Sequence, residues 1–520
     1  PEFKFDAPGL QVPARLNCAS VLVDDAVNGG AGDNIAVYFE GRTWTYRDVQ
    51  KEANKLAQVL TEDFGLVPGN RLLLRGPNNP MLFIAWVAAM KAGAVVVATM
   101  SLLRAQEISV IIDKAKISHA LCDHRFAEDL MASKLNSAYL KHATTWGDGQ
   151  LEALMGSKSG EFQNIDTAQD DVALIGFTSG TTGVPKGTMH FHRDVVLIGE
   201  TNARYLLDSG PTEIFTGTPP LAFTFGLGGI LVFPFYVRAA SAPLEAPNPD
   251  SLLEHIQRTG VTTMFSAPTA YKVMVSKVKE YDISSLAKCV SAGEPLPKPV
   301  SDAWYEATGL RIIDALGATE MLHAFIGASG DDVRPGATGK QMLGYEACVL
   351  NEDDQPMGPN SEGRLAVKGP TGCRYLADDR QKNYIVNGWN VTGDRYYLDA
   401  EGYFWFRARA DDMIISSGYN IAGPEVEAAL LAHDAVAECA VVASPDPDRT
   451  NIVKAFVVLA PGHEAGDQLV GELQEFTKQT IAPYKYPRAI EFVDSLPKTL
   501  TGKLQRFALR EREIEKAKNI

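Results

Sequence analysis

The chain has 520 residues, of which 45% are hydrophobic, 22% charged and 9% aromatic. That is the make-up of an ordinary globular protein, and it excludes disordered or collagen-like architecture. A net charge of −15 argues against nonspecific nucleic-acid binding, which needs a basic surface to release counterions.

At about 150 residues per folding unit, the length predicts about three of them. In chain order, Tyr46–Leu60 reads as a helix and Leu72–Leu74 as a strand. The stretch from Leu82 to Met100 is the most membrane-like, but Lys91 and Gly93 interrupt it. A helix from Pro80 to Lys91, stopped at Gly93, and a buried strand Ala94–Ala98 are predicted there instead, with no membrane partner. Val172–Phe177 and Thr262–Ser266 are further apolar strands, and Ser251–Arg258 is a helix between them. This alternation predicts an α/β fold of largely parallel sheets covered by helices. From Gly336 the strands shorten (Glu346–Leu350, Gly363–Val367, Tyr403–Arg407) and turn signals multiply, as in a small β-rich subdomain. After Arg409-Ala410-Asp411-Asp412 a new α+β unit of about 110 residues begins. It carries helices Pro424–Ala432 and Gln468–Ile481 and strands Ala437–Ala443 and Ala455–Leu459. Phe507 to Lys518 reads as a charge-rich helix with a solvated face. The six cysteines show no zinc spacing, so free thiols in a reducing cytoplasm are expected. The start, Pro1-Glu2-Phe3, carries no targeting signal, and the expected location is the cytoplasm.

The strongest chemical signal follows the strand Val172–Phe177. Thr178-Ser179-Gly180-Thr181-Thr182-Gly183-Val184-Pro185-Lys186-Gly187 combines three glycines, four hydroxyl residues and a lysine. Such a loop supplies backbone N–H and short O–H donors that wrap a polyphosphate, with the lysine as a point charge. It is not a Walker A loop, because the required G-x-x-x-x-G-K-[ST] does not occur.

This loop resembles the signature of the adenylate-forming superfamily: acyl- and aryl-CoA synthetases, adenylation domains of peptide synthetases and beetle luciferases. Five further segments follow in the family's order. Ser291-Ala292-Gly293-Glu294-Pro295 resembles the segment along the adenine, and Asp314-Ala315-Leu316-Gly317-Ala318-Thr319-Glu320 the adenine- and magnesium-binding segment. Thr392-Gly393-Asp394 resembles the ribose-binding motif. Arg409-Ala410-Asp411-Asp412 with Ser417-Gly418-Tyr419 resembles the hinge and its glycine loop, and Leu496–Lys503 the motif of the catalytic lysine. Leu316 stands where the family usually has tyrosine, which changes adenine packing. Ala408 stands where glycine commonly precedes the hinge arginine, which stiffens the hinge slightly.

The resemblance implies a large N-terminal domain over residues 1–408 with its β-rich subdomain at 336–408, a hinge at 409–411 and a mobile C-terminal domain at 412–520. It implies ATP and CoA as co-substrates and Mg2+ as cofactor, in a monomer or homodimer. Thr178, Ser179, Gly180, Thr181, Thr182, Gly183, Lys186, Gly293, Glu294, Pro295, Asp314, Leu316, Gly317, Asp394 and Arg409 would bind the nucleotide. Glu320 would hold Mg2+ and, with Thr319 and Lys503, act in catalysis. Asp411 would be the hinge, and Ser417, Gly418 and Tyr419 would line the CoA tunnel. The chemistry suits these residue types. A carboxylate attacking the α-phosphate of ATP approaches a highly anionic group, so catalysis is mostly positioning and charge neutralisation.

Thr319-Glu320-Met321-Leu322-His323, Val333-Arg334-Pro335-Gly336 and the segment Leu221–Gly229 are similar to benzoate-type CoA ligases. Phe225 and Leu316 are expected to clamp an aromatic ring, with Thr224, Gly226 and Gly317 beside it. His323 is expected to meet the substrate carboxylate or a ring substituent. The expected substrate is thus an aromatic carboxylic acid, with 2-aminobenzoate preferred on resemblance. A fatty acyl-CoA ligase, a stand-alone adenylation domain loading a carrier protein, and a non-catalytic nucleotide-binding protein are the alternatives. His190 and His192 form an H-x-H pair without further ligands at metal spacing and are expected to be structural.

Overall fold

A computed structural model describes residues 1–103, 105–135, 137–178, 185–409, 413–416, 419–446, 449–481, 483–499 and 502–518. The chain forms two compact units, the first Pro1–Ala347 with Val367–Asn390, the second Cys348–Ala366 with Val391–Ile520.

The first unit is built on two large sheets. One has the strand order His142–Trp146, His119–Asp123, Arg71–Arg75, Val95–Thr99, Val172–Thr178, Lys186–Phe191. Its pairings are parallel apart from the last. The other runs Lys340–Gln341, Ala324–Gly327, Ile312–Gly317, Lys288–Ser291, Thr263–Ser266, Ile214–Gly217, Ala240–Ser241, Ile35–Phe39, Arg42–Thr45, and is parallel through its middle. Apolar runs such as Leu72–Leu74 are buried because helices cover the sheets. Helix Ala105–Ala115 packs Ile108, Ile111 and Ile112 onto Leu73, Val97 and Ile175. Leu252, Ile256, Tyr271 and Trp304 cover Met264, Cys289 and Ile312.

The membrane-like stretch is a helix, Pro80–Lys91, and a strand, Val95–Thr99. Asn79 caps the helix by accepting from the Leu82 N–H, and Pro80 starts it without needing a donor. It is apolar on all sides because it is enclosed on all sides. Among the described residues no helix is long and apolar enough to cross a membrane. Lys91 ends this helix with its side chain 1% exposed and its Nζ 2.5 Å from Asp24 Oδ1.

The second unit holds the strands Pro356–Met357 and Phe404–Arg409 and the greater part of Ser361–Lys368 and Trp389–Leu398 from the β-rich stretch, with the hairpin Met413–Ser416/Tyr419–Ala422. A three-stranded sheet, Val436–Asp446, Thr450–Leu459 and Ala489–Phe492, is covered by helices Gly423–Leu431 and Asp467–Thr480. Helix Arg506–Lys518 has the expected solvated face, with Glu511, Arg512, Glu515 and Lys516 exposed, and buries its opposite side. Its Leu509 lies in the core with Val442 and Phe456, and Glu513, 5% exposed, accepts from Lys454 Nζ at 2.9 Å and Ser444 Oγ at 2.9 Å. All six cysteines are unbridged and buried.

Burial also sets a pH dependence. His192 Nδ1 accepts the Cys18 N–H at 3.2 Å, which requires the neutral ring. Burial pushes His192 down to about 4, with Asp171 pulling weakly the other way. In the unfolded chain the same ring titrates near 6.5. Below pH 6.5 the unfolded state therefore binds the extra proton, and stability falls as pH drops from about 6.5 toward 4, by up to about 3 kcal/mol. His192→Asn keeps an acceptor near Nδ1 and removes the titration. We expect it to flatten this part of the stability–pH curve in thermal unfolding, and an unchanged slope would refute the assignment.

Candidate functional site

The strands Val172–Thr178 and Lys186–Phe191 pair antiparallel, with Thr178 directly opposite Lys186. They flank the glycine-rich loop. Ser179, Gly180, Thr181, Thr182, Gly183 and Val184 lie outside the described residues. At its exit, Lys114 Nζ donates to the Pro185 carbonyl at 3.1 Å and to Asp378 Oδ2 at 2.7 Å. Thr178 Oγ1 is buried with no partner among the described residues.

Glu320 is 9% exposed, not the surface carboxylate that an isolated glutamate would be. Tyr375 Oη donates to its Oε1 at 2.6 Å and accepts from Lys186 Nζ at 2.9 Å. Lys186 Nζ itself lies 3.6 Å from the same oxygen. A cation, a hydroxyl and a carboxylate thus converge where the loop begins and ends. Tyr375 is the residue that the sequence did not reveal. It sits in an irregular stretch, Thr371-Gly372-Cys373-Arg374-Tyr375, whose order carries no periodic or motif signal.

Glu320 belongs to a tight turn, Thr319–Met321, between the strands Ile312–Gly317 and Ala324–Gly327. Thr319 packs close to the first sheet, because a Cβ on Gly176 would stand 3.0 Å from Thr319 Cγ2. Asp314, on the same strand, lies opposite Ser291. Desolvation raises its carboxyl pKa above the usual range, with a Thr338 hydrogen bond acting in the opposite direction. Leu316 and Gly317 end that strand. Gly293 and Pro295 follow the strand Lys288–Ser291, and neighbouring Glu294 accepts from Thr269 Oγ1 at 2.9 Å.

On the other side of the turn His323 is 5% exposed. Its Nδ1 lies 3.0 Å from Asn202 Oδ1. Asn202 Nδ2 donates to Thr201 Oγ1 and the Ala324 carbonyl, so its oxygen faces the ring and Nδ1 carries the proton. Nε2 has no hydrogen-bond partner among the described residues, and the Phe225 backbone lies beside the ring. Burial pushes His323 down to about 3, against the effect of that backbone contact, so the ring is neutral at physiological pH. Phe233 meets it edge-on at 4.5 Å, and Phe225 lies 6.0 Å away and 5.7 Å from Phe265. Gly228 allows this packing, since a Cβ there would stand 2.4 Å from His323 Cδ2. Thr224 and Gly226 form the short helical turn that carries Phe225. Thr224 also lines a narrow cavity of about 20 Å³ with Trp86, Val96, Ala98, Gly176 and Ala222. Phe265 and His323 are the rings that Phe225 packs against, while Leu316, expected to clamp a substrate ring with it, lies on the strand Ile312–Gly317.

In the second unit Asp394, 9% exposed, is the direct cross-strand partner of Arg409. Lys503 is exposed at a turn in which Thr499 N–H donates to its carbonyl at 2.8 Å and its own N–H donates to Thr499 Oγ1 at 3.1 Å. Asp411, Ser417 and Gly418 lie outside the described residues, as does the side chain of Tyr419.

Among the described residues no group of three or more His, Cys, Asp or Glu could hold a metal. Glu320 has one oxygen engaged and no hydrogen bond to Oε2 among the described residues. That suits Mg2+, which takes one or two carboxylates and completes its shell with substrate phosphates and water.

The AMP-binding enzyme model matches residues 23–375, and the AMP-binding enzyme C-terminal domain model matches 425–503. The chain is 34% identical over 517 residues to benzoate–CoA ligase of Thauera aromatica, covering 97% of each. It is also 34% identical over 531 residues to acyl-coenzyme A synthetase ACSM3, mitochondrial, of Mus musculus, covering 97% of this chain and 92% of that one. The crystal structure of the anthranilate CoA ligase AuaEII in complex with anthranoyl-AMP superposes with a TM-score of 0.91 at 31% identity, over 96% of this chain and 98% of that one. The chain belongs to the AMP-binding enzyme family. It is an AMP-forming acid–CoA ligase of the adenylate-forming class, using ATP and CoA.

Proposed function

We propose that the acid is aromatic and that 2-aminobenzoate is preferred. The observation that carries this reading is the ring cluster of Phe225, Phe233, Phe265 and His323, with the Nε2 of a neutral histidine lacking a partner among the described residues. Aromatic walls favour a flat ring, and an acceptor nitrogen without a donor is costly until one arrives. An ortho amino group brings that donor, whereas a substrate carboxylate, itself an acceptor, does not. The benzoate and anthranilate ligases among the relatives agree with this reading. An aliphatic acyl substrate is the second reading, favoured by the equal identity to the ACSM3 synthetase.

The carboxylate attacks the α-phosphate of ATP to give aryl-AMP and pyrophosphate, and the CoA thiol then displaces AMP. Lys186 and the loop before it hold the phosphates, and Asp394 and Arg409 the ribose side of the nucleotide. Tyr375, hydrogen-bonded to both, orients Lys186 and Glu320. Glu320 would hold Mg2+, whose contribution when bound is to neutralise phosphate charge. Lys503 belongs to the adenylation step and the loop Ser417–Tyr419 to the thiol step, exchanged by rotation about Asp411. The divisions at 409–411 and 412–520 are part of this proposal.

Phe225→Ala tests the ring pocket. It should weaken selection of benzoate-like over short aliphatic acids by about 1–3 kcal/mol in kcat/KM, the scale of one lost hydrophobic contact set. Equal losses for both acid classes would remove Phe225 from the pocket.

A further inference from the structure

We propose that His190 is a positioning residue of the adenylation site, holding the Thr319 carbonyl and thereby fixing Glu320 against the strand that carries Lys186. Residues 186, 188 and 190 share one side of that strand. Its two ends grip consecutive residues of one turn: Lys186 reaches Glu320 through Tyr375, and His190 Nε2 lies 2.7 Å from the Thr319 carbonyl oxygen. A carbonyl only accepts, so Nε2 carries the proton. His190 is fully buried. Asp194, four residues on and equally buried, places Oδ2 3.5 Å from Nδ1 and accepts the Phe191 N–H with the same oxygen.

The turn needs such support. Leu322, buried and not glycine, has φ +67° and ψ −37°, a region L residues seldom occupy. The carbonyls on either side of Glu320 are each held by a buried side chain, Thr319 by His190 and Met321 by the Thr371 hydroxyl at 2.8 Å. A backbone left to itself has other ways to close this turn, and each would re-aim the Glu320 carboxylate. His190 selects the one in which that carboxylate meets Tyr375.

The proposal rests on the reading of Glu320 as the carboxylate of the Mg·ATP site, and the experiment separates the two. Full-length wild type, H190L, H190N, H190Q and E320Q are compared by calorimetric Mg·ATP binding without acid, by KM for ATP and for 2-aminobenzoate, and by thermal midpoint. H190L should bind Mg·ATP roughly tenfold more weakly, the scale of one lost hydrogen bond. Its KM for ATP should rise in parallel, while KM for the acid stays within about twofold. H190Q, whose amide N–H reaches the same carbonyl, should recover most of the affinity. H190N, too short to reach, should behave as H190L and carries the test if H190L does not fold. Unchanged affinity in H190L or H190N, equal losses in H190Q and H190N, or parallel rises in both KM values with a lowered midpoint would each overturn the role of His190. If E320Q binds Mg·ATP as wild type does, the reading of Glu320 fails instead.

Discussion

Lys503→Ala should lose adenylate formation by about 3–4 kcal/mol of transition-state stabilisation, the scale of one removed electrostatic donor at developing charge. It should nevertheless make thioester from supplied aryl-AMP and CoA. The motif Leu496–Lys503 anchors itself by Leu496, which is buried with Ala440 and Leu509, and holds Lys503 exposed at its end. An exposed ammonium on a buried anchor is suited to act on a phosphate that it meets in only one of the two half-reactions. Gly418→Leu should show the opposite, forming adenylate and stalling at CoA, because a side chain would fill the backbone approach proposed for the thiol. Both half-reactions are read for each variant, as pyrophosphate release and as thioester from supplied adenylate. If Lys503→Ala and Gly418→Leu lose the two steps in equal proportion, the division of labour between them is wrong.

Asp24→Ala should destabilise the first unit by about 3–5 kcal/mol, the cost of leaving a buried charge uncompensated. Lys91 ends an otherwise apolar helix, and desolvation pulls its pKa down while Asp24 holds it up. The carboxylate also accepts from Gln50 Nε2 at 2.7 Å and Asn164 Nδ2 at 2.6 Å; without it Lys91 Nζ keeps only the neutral Asn164 Oδ1 at 3.2 Å, and its charge has no counter-ion there. Replacing both partners, as in D24L with K91M, should cost much less than D24A alone, because no buried ion remains. Denaturant unfolding followed by a probe in the first unit reads the difference. A double variant as unstable as D24A would mean that side-chain packing, not the stranded charge, sets the loss.

The parts of this molecule that were legible in the sequence are those that local chemistry specifies. The helix Pro80–Lys91 was predicted at its observed bounds because proline starts it and Gly93 stops it. The strand expected over Glu346–Leu350 has its observed bounds, whereas others run past the expected ends, as Val436–Asp446 does beyond Ala437–Ala443, because pairing with a neighbour extends a strand past its apolar run. The helix expected over Tyr46–Leu60 is α-helical to Gln58 and then widens into the turn Val59–Asp63, a change of pitch that leaves the hydrophobic pattern unaltered. At the site, the loop strands and Glu320 were legible as motifs. Tyr375 on Glu320, His190 on Thr319 and Asp24 on Lys91 were not. Each joins residues far apart in the chain, and only the order of the strands and helices brings them together.

The substrate is the central claim, and one comparison tests it most directly. With ATP and CoA saturating, kcat/KM for 2-aminobenzoate and for hexanoate is measured on the same preparation, reading pyrophosphate and thioester together. A ring cluster closed by Phe225 and His323 predicts 2-aminobenzoate ahead by about tenfold or more, the scale of one contact set plus one satisfied acceptor. Hexanoate equal or ahead, with both products formed in step, would contradict the aromatic reading and assign the pocket to an aliphatic chain.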